Sequence, residues 1–336
     1  MAVKIFLTGA TGYIGGDALF VLSQHPEFEF SLLVRTQEKA DKVKAQYPNA
    51  TIILGELDDS GLLREQAAKA DIVLHTADAS DHEGAARAIA AGLTEGHSAT
   101  RPGYWLHTGG TGILTYLDSE AGRLGEHAGK EFDDYAGVDE LTSLPDGAFH
   151  RNVDKVVLEA ASDVVKTAIV CPPTIYGTGR GPVATRGRQA YELARLILRK
   201  GYAPIVGGGR ARWNHVHVAD LSEAFRLLQG GEKKDDDELW GARGYYFVES
   251  GEHVWGALAR GMAATALEMG LLEKKPEDHP LDKDEALEVA GFEAVSWGWN
   301  SRGRAQRLRK VLGWRPRAPT LGESVPEILE YEKRRL

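Results

Sequence analysis

Thr8-Gly9-Ala10-Thr11-Gly12-Tyr13-Ile14-Gly15 follows directly on the apolar run Val3–Thr8 and opens a stretch with helical spacing. Val3–Thr8 is rich in strand formers, and across Ala10–Ser23 the residues Ile14, Ala18, Leu19 and Leu22 recur at helical intervals. In this setting Gly9 permits a tight turn, Gly12 lets the backbone approach a pyrophosphate, and Gly15 lets the helix pack close to the strand. The first turn of such a helix offers unpaired N–H groups and the positive end of its dipole to phosphate. A glycine triplet alone is weak evidence. Set between a strand and a helix, with further strands behind it, Thr8 to Gly15 reads as a dinucleotide phosphate loop.

Outward from the loop, strand and helix signals alternate. Strands are expected at Phe28–Val34, Ala50–Leu54, Asp71–Leu74, Tyr104–His107 and Val165–Val170. Helices are expected at Thr36–Gln46, Leu62–Ala70, Ala85–Leu93 and Val153–Ser162. This order predicts an α/β fold, a doubly wound parallel sheet with helices on both faces. After Gly177 the alternation weakens: Gly177–Pro182 is a glycine-rich loop, Arg188–Arg199 a helix, Gly207-Gly208-Gly209 a turn, and Val216–Gln229 a strand leading into a helix. Helical stretches at Trp255–Met269 and Arg304–Leu312 follow. The expected division is a dinucleotide domain of residues 1–177 plus about 211–230, and a smaller, mostly helical C-terminal substrate cap of about 178–210 plus 231–336. The charged run Glu232–Glu238 reads as a solvated loop.

The 336 residues hold 40 Lys and Arg against 49 Asp and Glu, a formal charge of −9, which argues against a nucleic-acid binder. A single cysteine, Cys171, excludes an intramolecular disulfide and a cysteine-cluster metal site, and fits a reducing compartment. No apolar run reaches membrane-spanning length, and Val3–Thr8 reads as a strand rather than a signal peptide, so a cytoplasmic protein without membrane attachment is expected. The 11 histidines include no His-x-x-x-His or His-Glu-x-x-His pair, and no metal site is expected. His215 and His217 alternate on a strand and project from one face.

At the end of the second strand an NAD site usually places an acid for the ribose hydroxyls. This chain places Arg35 there, 20 residues beyond Gly15. A guanidinium pairs with the 2′-phosphate of NADP, so NADP (NADPH) is the expected cofactor; the bland reading is a surface arginine. Asp58, in Gly55-Glu56-Leu57-Asp58 after the third strand, either accepts the adenine amino group or caps the helix that follows.

These motifs resemble those of the extended and atypical short-chain dehydrogenase/reductases, the superfamily of Rossmann-fold NAD-dependent epimerases and dehydratases that also includes NmrA-like proteins. Besides the Gly9–Gly15 loop, Gly55-Glu56-Leu57-Asp58 looks like the family's Gly-Asp-Leu-x-Asp. Pro172-Pro173-Thr174-Ile175-Tyr176-Gly177 looks like its Arg-Pro-x-x-x-Tyr-Gly, and Val216-His217-Val218-Ala219-Asp220-Leu221 like its strand-to-helix crossing. Leu312-Gly313-Trp314-Arg315-Pro316 looks like its closing Leu-Gly-Trp-x-Pro. The resemblance implies cofactor contacts at Thr8, Gly9, Thr11, Gly12, Tyr13, Ile14 and Gly15. It implies others at Leu57 and Asp58, around Thr76 and Ala77, and at Pro172 and Pro173.

It also implies a Ser/Thr after the fifth strand and a Tyr-x-x-x-Lys pair on the next helix. Here Lys155 takes the lysine place, as a nicotinamide-ribose ligand, but the residue four before it is Arg151, which cannot supply a proton at neutral pH. Thr108 and Thr111 flank the serine position. The candidate proton donors are His150, whose imidazole suits acid–base work, and Tyr176 and Tyr135. His75 and His107 end adjacent strands and read as packed histidines or cleft residues. Arg210 and Arg212 read as phosphate ligands or surface. The basic stretch Arg302–Arg317 reads as a solvated helix face.

The expected function is an NADP(H)-dependent oxidoreductase that reduces a carbonyl or an activated C=C bond of a small organic molecule, without the usual tyrosine. Two alternatives stand beside it: a non-catalytic NADP(H)-sensing regulatory protein, and a sugar-nucleotide epimerase or dehydratase. The family resemblance also suggests a homodimer built on the helix that carries Lys155.

Overall fold

Strand Val3–Thr8 (β1) lies inside a seven-stranded sheet, third from one edge, in a computed structural model that describes residues 2–229 and 237–336. Ile5, Phe6, Leu7 and Thr8 are all buried, as a strand covered on both faces requires. On one side β1 pairs with Phe28–Val34 (β2), which pairs with Thr51–Leu54 (β3). On the other it pairs with Ile72–His75 (β4), then Gly103–Thr108 (β5), Val165–Cys171 and finally Tyr245–Phe247. Every pairing is parallel, and the order reverses at β1. Ligands of such sheets sit at the carboxyl ends of the strands beside that reversal.

Helices Tyr13–Leu22 (α1), Gln37–Gln46 (α2), Ser60–Lys69 (α3) and Glu83–Gly96 (α4) form the crossovers. Thr36 caps α2 by accepting from Lys39 N, and Asp59 caps α3 by accepting from Leu62 N at 3.0 Å. Asp59 rather than Asp58 is therefore the cap, and Asp58 is left exposed at the edge. The helix expected from Val153 begins earlier, at Arg151, and runs to Glu159.

Two hydrophobic cores form. The larger surrounds the central sheet. The smaller joins the helices Gln189–Lys200, Trp255–Glu268, Lys283–Ser296 and Leu321–Lys333 around residues such as Tyr191, Trp213 and Trp297. The second half is not only helical. Arg212–His217 lies between Gly251–Val254 and Thr174–Tyr176, and Ala203–Val206 pairs with Asp278–Leu281. Late segments also return to the first core, since Tyr245–Phe247 extends the sheet and Leu308 and Trp314 pack against it. The charged run from Glu232 lies, as far as Asp236, outside the described residues.

Candidate functional site

The loop after β1 is shaped by contact with the end of β4. Gly9 has φ +87°, and a methyl on Gly15 would stand 2.3 Å from Thr76 Oγ1 and 2.4 Å from Gly9 O, so α1 can approach the strand only with glycine there. Gly12 is the N-cap of α1 and supplies no side-chain cap, and no acid occupies the first turn. The α1 N–H groups and dipole are thus free for an anion, and Gly12, Tyr13 and Ile14 line a cleft of about 590 Å³. This cradle fits a dinucleotide's phosphates.

Hydrogen bonds around the loop hold the cradle in place. Thr8 is fully buried: its Oγ1 accepts from Thr76 N and Ala77 N and lies 2.7 Å from His75 Nδ1, while Thr76 Oγ1 donates to Thr8 O. Thr11 O accepts from Ala184 N, and Tyr13 donates its phenol to Gly177 O at 2.5 Å. Arg35 is exposed just past β2 and has no partner among the described residues. Leu57 packs on the core, and Asp58 Oδ1 lies 3.2 Å from His82 Nε2.

Along the carboxyl edge, Thr76, the Gly109–Gly112 turn, Pro172, Pro173 and His150 continue the cleft wall. His150 is the N-cap of the helix Arg151–Glu159 and is held in the left-handed region at φ 67°. Its Nδ1 donates to Asp81 Oδ1 at 2.7 Å, and this bond holds the Asp81 carboxyl below its ordinary range. An ionised carboxylate only accepts, so the Nδ1 proton is fixed and Nε2 becomes the exchanging nitrogen. Nε2 makes no hydrogen bond among the described residues, and a methyl on Gly110 or Gly112 would lie 3.3 Å from it. The imidazole therefore presents its free nitrogen to the turn that follows β5.

This helix brings forward His150 and Asp154, four apart, rather than Arg151 and Lys155. Lys155 Nζ donates to Asp146 Oδ1 at 2.9 Å on the surface and does not line the cleft. Arg151 is buried and donates to Thr142 O. Asp154 is buried beneath Gly109 with Oδ1 unpartnered; the Tyr245 hydroxyl donates to its Oδ2 at 3.2 Å, and burial pushes its pKa up to about 6.

Of the remaining candidates, Thr111 lines the cleft, its Oγ1 accepting from Trp213 Nε1 at 3.2 Å. Thr108 is buried with an unpartnered hydroxyl. Tyr176 donates to Pro319 O, and burial pushes its pKa up to about 12, so it acts as a tie between segments. Tyr135 lies under Arg307 and Lys310. His75 and His107 are fully buried, with ring centroids 5.5 Å apart. His215 and His217 both pack on the Tyr176 ring. Arg212 is paired with Glu252 at 2.7 Å.

Residues that the sequence reading does not single out complete the wall. Asp81 comes from the loop after β4, Arg186 and Gln189 from the loop and start of the helix Gln189–Lys200, and Phe292 and Ser296 from the helix Lys283–Ser296. No sequence signal links Asp81 to His150. Among the described residues no three His, Cys, Asp or Glu converge as metal ligands, and no helix is long and apolar enough to cross a membrane.

A model of the NAD dependent epimerase/dehydratase family matches residues 5–238. The chain is 40% identical over 350 residues to Oxidase ucsJ of an Acremonium species, covering 100% of this chain and 99% of that one. It is 26% identical over 339 residues to uncharacterized protein YLL056C of Saccharomyces cerevisiae, covering 96% and 98%. Among solved structures, the dTDP-glucose 4,6-dehydratase DesIV of Streptomyces venezuelae, with NAD and TYD bound, is similar at TM-score 0.68 and 14% identity over 99% of this chain and 98% of that one. UDP-glucose 4-epimerase of Thermotoga maritima, with UDP-glucose, is similar at TM-score 0.64 and 14% identity over 99% of each. At such identity these two likenesses concern the fold alone.

Proposed function

The chain belongs to the NAD dependent epimerase/dehydratase family, and on that premise we propose that it is an NADP(H)-dependent oxidoreductase acting on a carbonyl or an activated C=C bond of a small organic molecule. The observation that carries the reading is the Asp81–His150 pair on the wall of the same cleft that begins at the phosphate loop. The 40% identical relative bears the name of an oxidase, which accords with redox chemistry here.

Gly12, Tyr13 and Ile14 would hold the pyrophosphate, and Pro172 and Pro173 would bound the nicotinamide end. Arg35, unpaired at the end of β2 where no acid stands, supports a 2′-phosphate and hence NADP. A nicotinamide held there would supply the electron pair as a hydride and leave one proton for the protein to deliver. His150, protonated on both ring nitrogens, would deliver it from Nε2 to the substrate oxygen of a ketone or to the enolate oxygen of an enone. Asp81 keeps the ring in the orientation that exposes Nε2 and stabilises the imidazolium before transfer. In the oxidising direction the same nitrogen takes the hydroxyl proton. The test is turnover of NADPH, followed by nicotinamide absorbance, over a panel of ketones and enones. Turnover that His150→Ala abolishes is the expected result. Tight NADPH binding with no oxidation of any kind would point instead to a sensing protein.

A further inference from the structure

Phe149 and Phe292 are 41% and 46% exposed, unusual for rings of their size, and both line the cleft. They come from separate elements and meet each other. Phe149 precedes His150 and lies tilted against its imidazole, with centroids 3.8 Å apart. Phe292 comes from the helix Lys283–Ser296, whose backbone breaks at Ala290 and at Gly291 (φ 62°, ψ −151°) immediately before it. The two phenyl centroids are 5.2 Å apart, and Trp299 backs Phe292 at 5.9 Å. Trp213 also lines the cleft.

The charged side chains on this wall are already matched. Arg186 pairs with Glu332 and Glu192, Arg188 with Glu293, and Asp81 with His150. Gln189 is used as well, donating to Ser296 Oγ and accepting from Thr174. A diphosphate-bearing substrate would need a cation to offset its desolvation beside two phenyl rings, and each arginine of the cleft already has a carboxylate. A flat apolar molecule needs only the ring faces.

We infer that Phe149 and Phe292, in contact with each other, form one aromatic wall on which an uncharged, planar, aryl-type substrate rests beside His150, and that the cleft does not take a nucleotide sugar. The inference deepens the oxidoreductase reading and rests on it, because the wall positions the substrate for the proton of His150. The probes are 2-acetylnaphthalene, an uncharged bicyclic aryl ketone, and UDP-glucose. Binding of each is followed through tryptophan emission, with and without NADPH, and NADPH affinity is measured separately. The expected result is that the aryl ketone binds at least tenfold more tightly than UDP-glucose. Phe292→Ala and Phe149→Ala should each weaken it about tenfold, Phe292→Leu should weaken it less, and NADPH affinity should not change. Equal ketone affinity in wild type and Phe292→Ala, or tighter binding of UDP-glucose, overturns the aromatic wall as a substrate site. Failure of NADPH to bind while the ketone retains this dependence would sink the cofactor reading and leave the aromatic site standing.

Discussion

His150 Nδ1 lies 2.7 Å from Asp81 Oδ1, although 69 positions separate the two residues in the chain. The contact fixes which imidazole nitrogen faces the cleft, and the proposed mechanism uses it as the acid–base pair. His150→Ala should therefore lower kcat by about 10²–10⁴-fold with NADPH affinity unchanged. Asp81→Asn should act in the same direction but less, since it leaves the imidazole and disturbs its orientation. Lys155→Ala should leave kcat within about twofold, because Nζ is engaged at the surface with Asp146. A large Lys155 effect together with a small His150 effect would reverse this assignment.

Gly15 has no room for a side chain, with Thr76 Oγ1 and Gly9 O inside 2.5 Å of an added methyl. Gly15→Ala should push α1 away from β4 and disturb the phosphate cradle. Calorimetry should show NADPH affinity reduced at least tenfold, about 1.4 kcal/mol. Far-ultraviolet dichroism should show the fold retained.

Asp17 is fully buried on α1 and accepts from Arg180 N, Nε and Nη2 and from Ser222 Oγ, the last at 2.6 Å. It ties the glycine-rich loop and the helix Val218–Gln229 to α1. Ser222 is buried and would lose this acceptor, while Arg180, with 36% of its side chain exposed, would turn to water, so Asp17→Ala should cost about 2 kcal/mol in urea denaturation. A loss below about 1 kcal/mol would show that the loop is anchored elsewhere.

Burial pushes the pKa of His75 down to about 3. An unfolded histidine titrates near 6.5. Below that pH the unfolded chain takes up a proton that the folded chain refuses. The contribution of His75 is therefore complete above about pH 6.5 and is lost as pH falls toward 3. The loss is about 2 kcal/mol at pH 5. His75→Asn should lose about that much less stability than wild type between pH 7 and pH 5. Equal losses would mean that His75 is protonated in the folded chain.

Much of the sheet is legible in the sequence because its strands are short apolar runs between clear breakers, and because the phosphate loop names the first crossover. Strands β4 and β5 each run one residue beyond the expected end, to His75 and Thr108, whose polar side chains are nevertheless buried. The helices Lys283–Ser296 and Leu321–Lys333 escape a reading by periodicity. Both begin with a capping box, Asp282 with Glu285 and Thr320 with Glu323, a signal that spacing alone carries. Gly291 and Pro326 inside them mask the periodicity.

The site is harder to read than the sheet. Aligning Lys155 by spacing puts Arg151 at the tyrosine position, yet the helix turns His150 and Asp154 inward, because Lys155 finds Asp146 and Arg151 finds Thr142 O. Asp81 reaches His150 only through the tertiary path from the loop after β4, which no local pattern encodes.

The most direct test of the account is a calorimetric titration of the purified chain with NADPH and with NADH, repeated on Arg35→Ala. NADPH should bind saturably and at least tenfold more tightly than NADH, a gap of about 1.4 kcal/mol that Arg35→Ala removes. Absence of binding by either dinucleotide would contradict it, since the cradle at Gly12 and the proton donor at His150 would then have no hydride to serve.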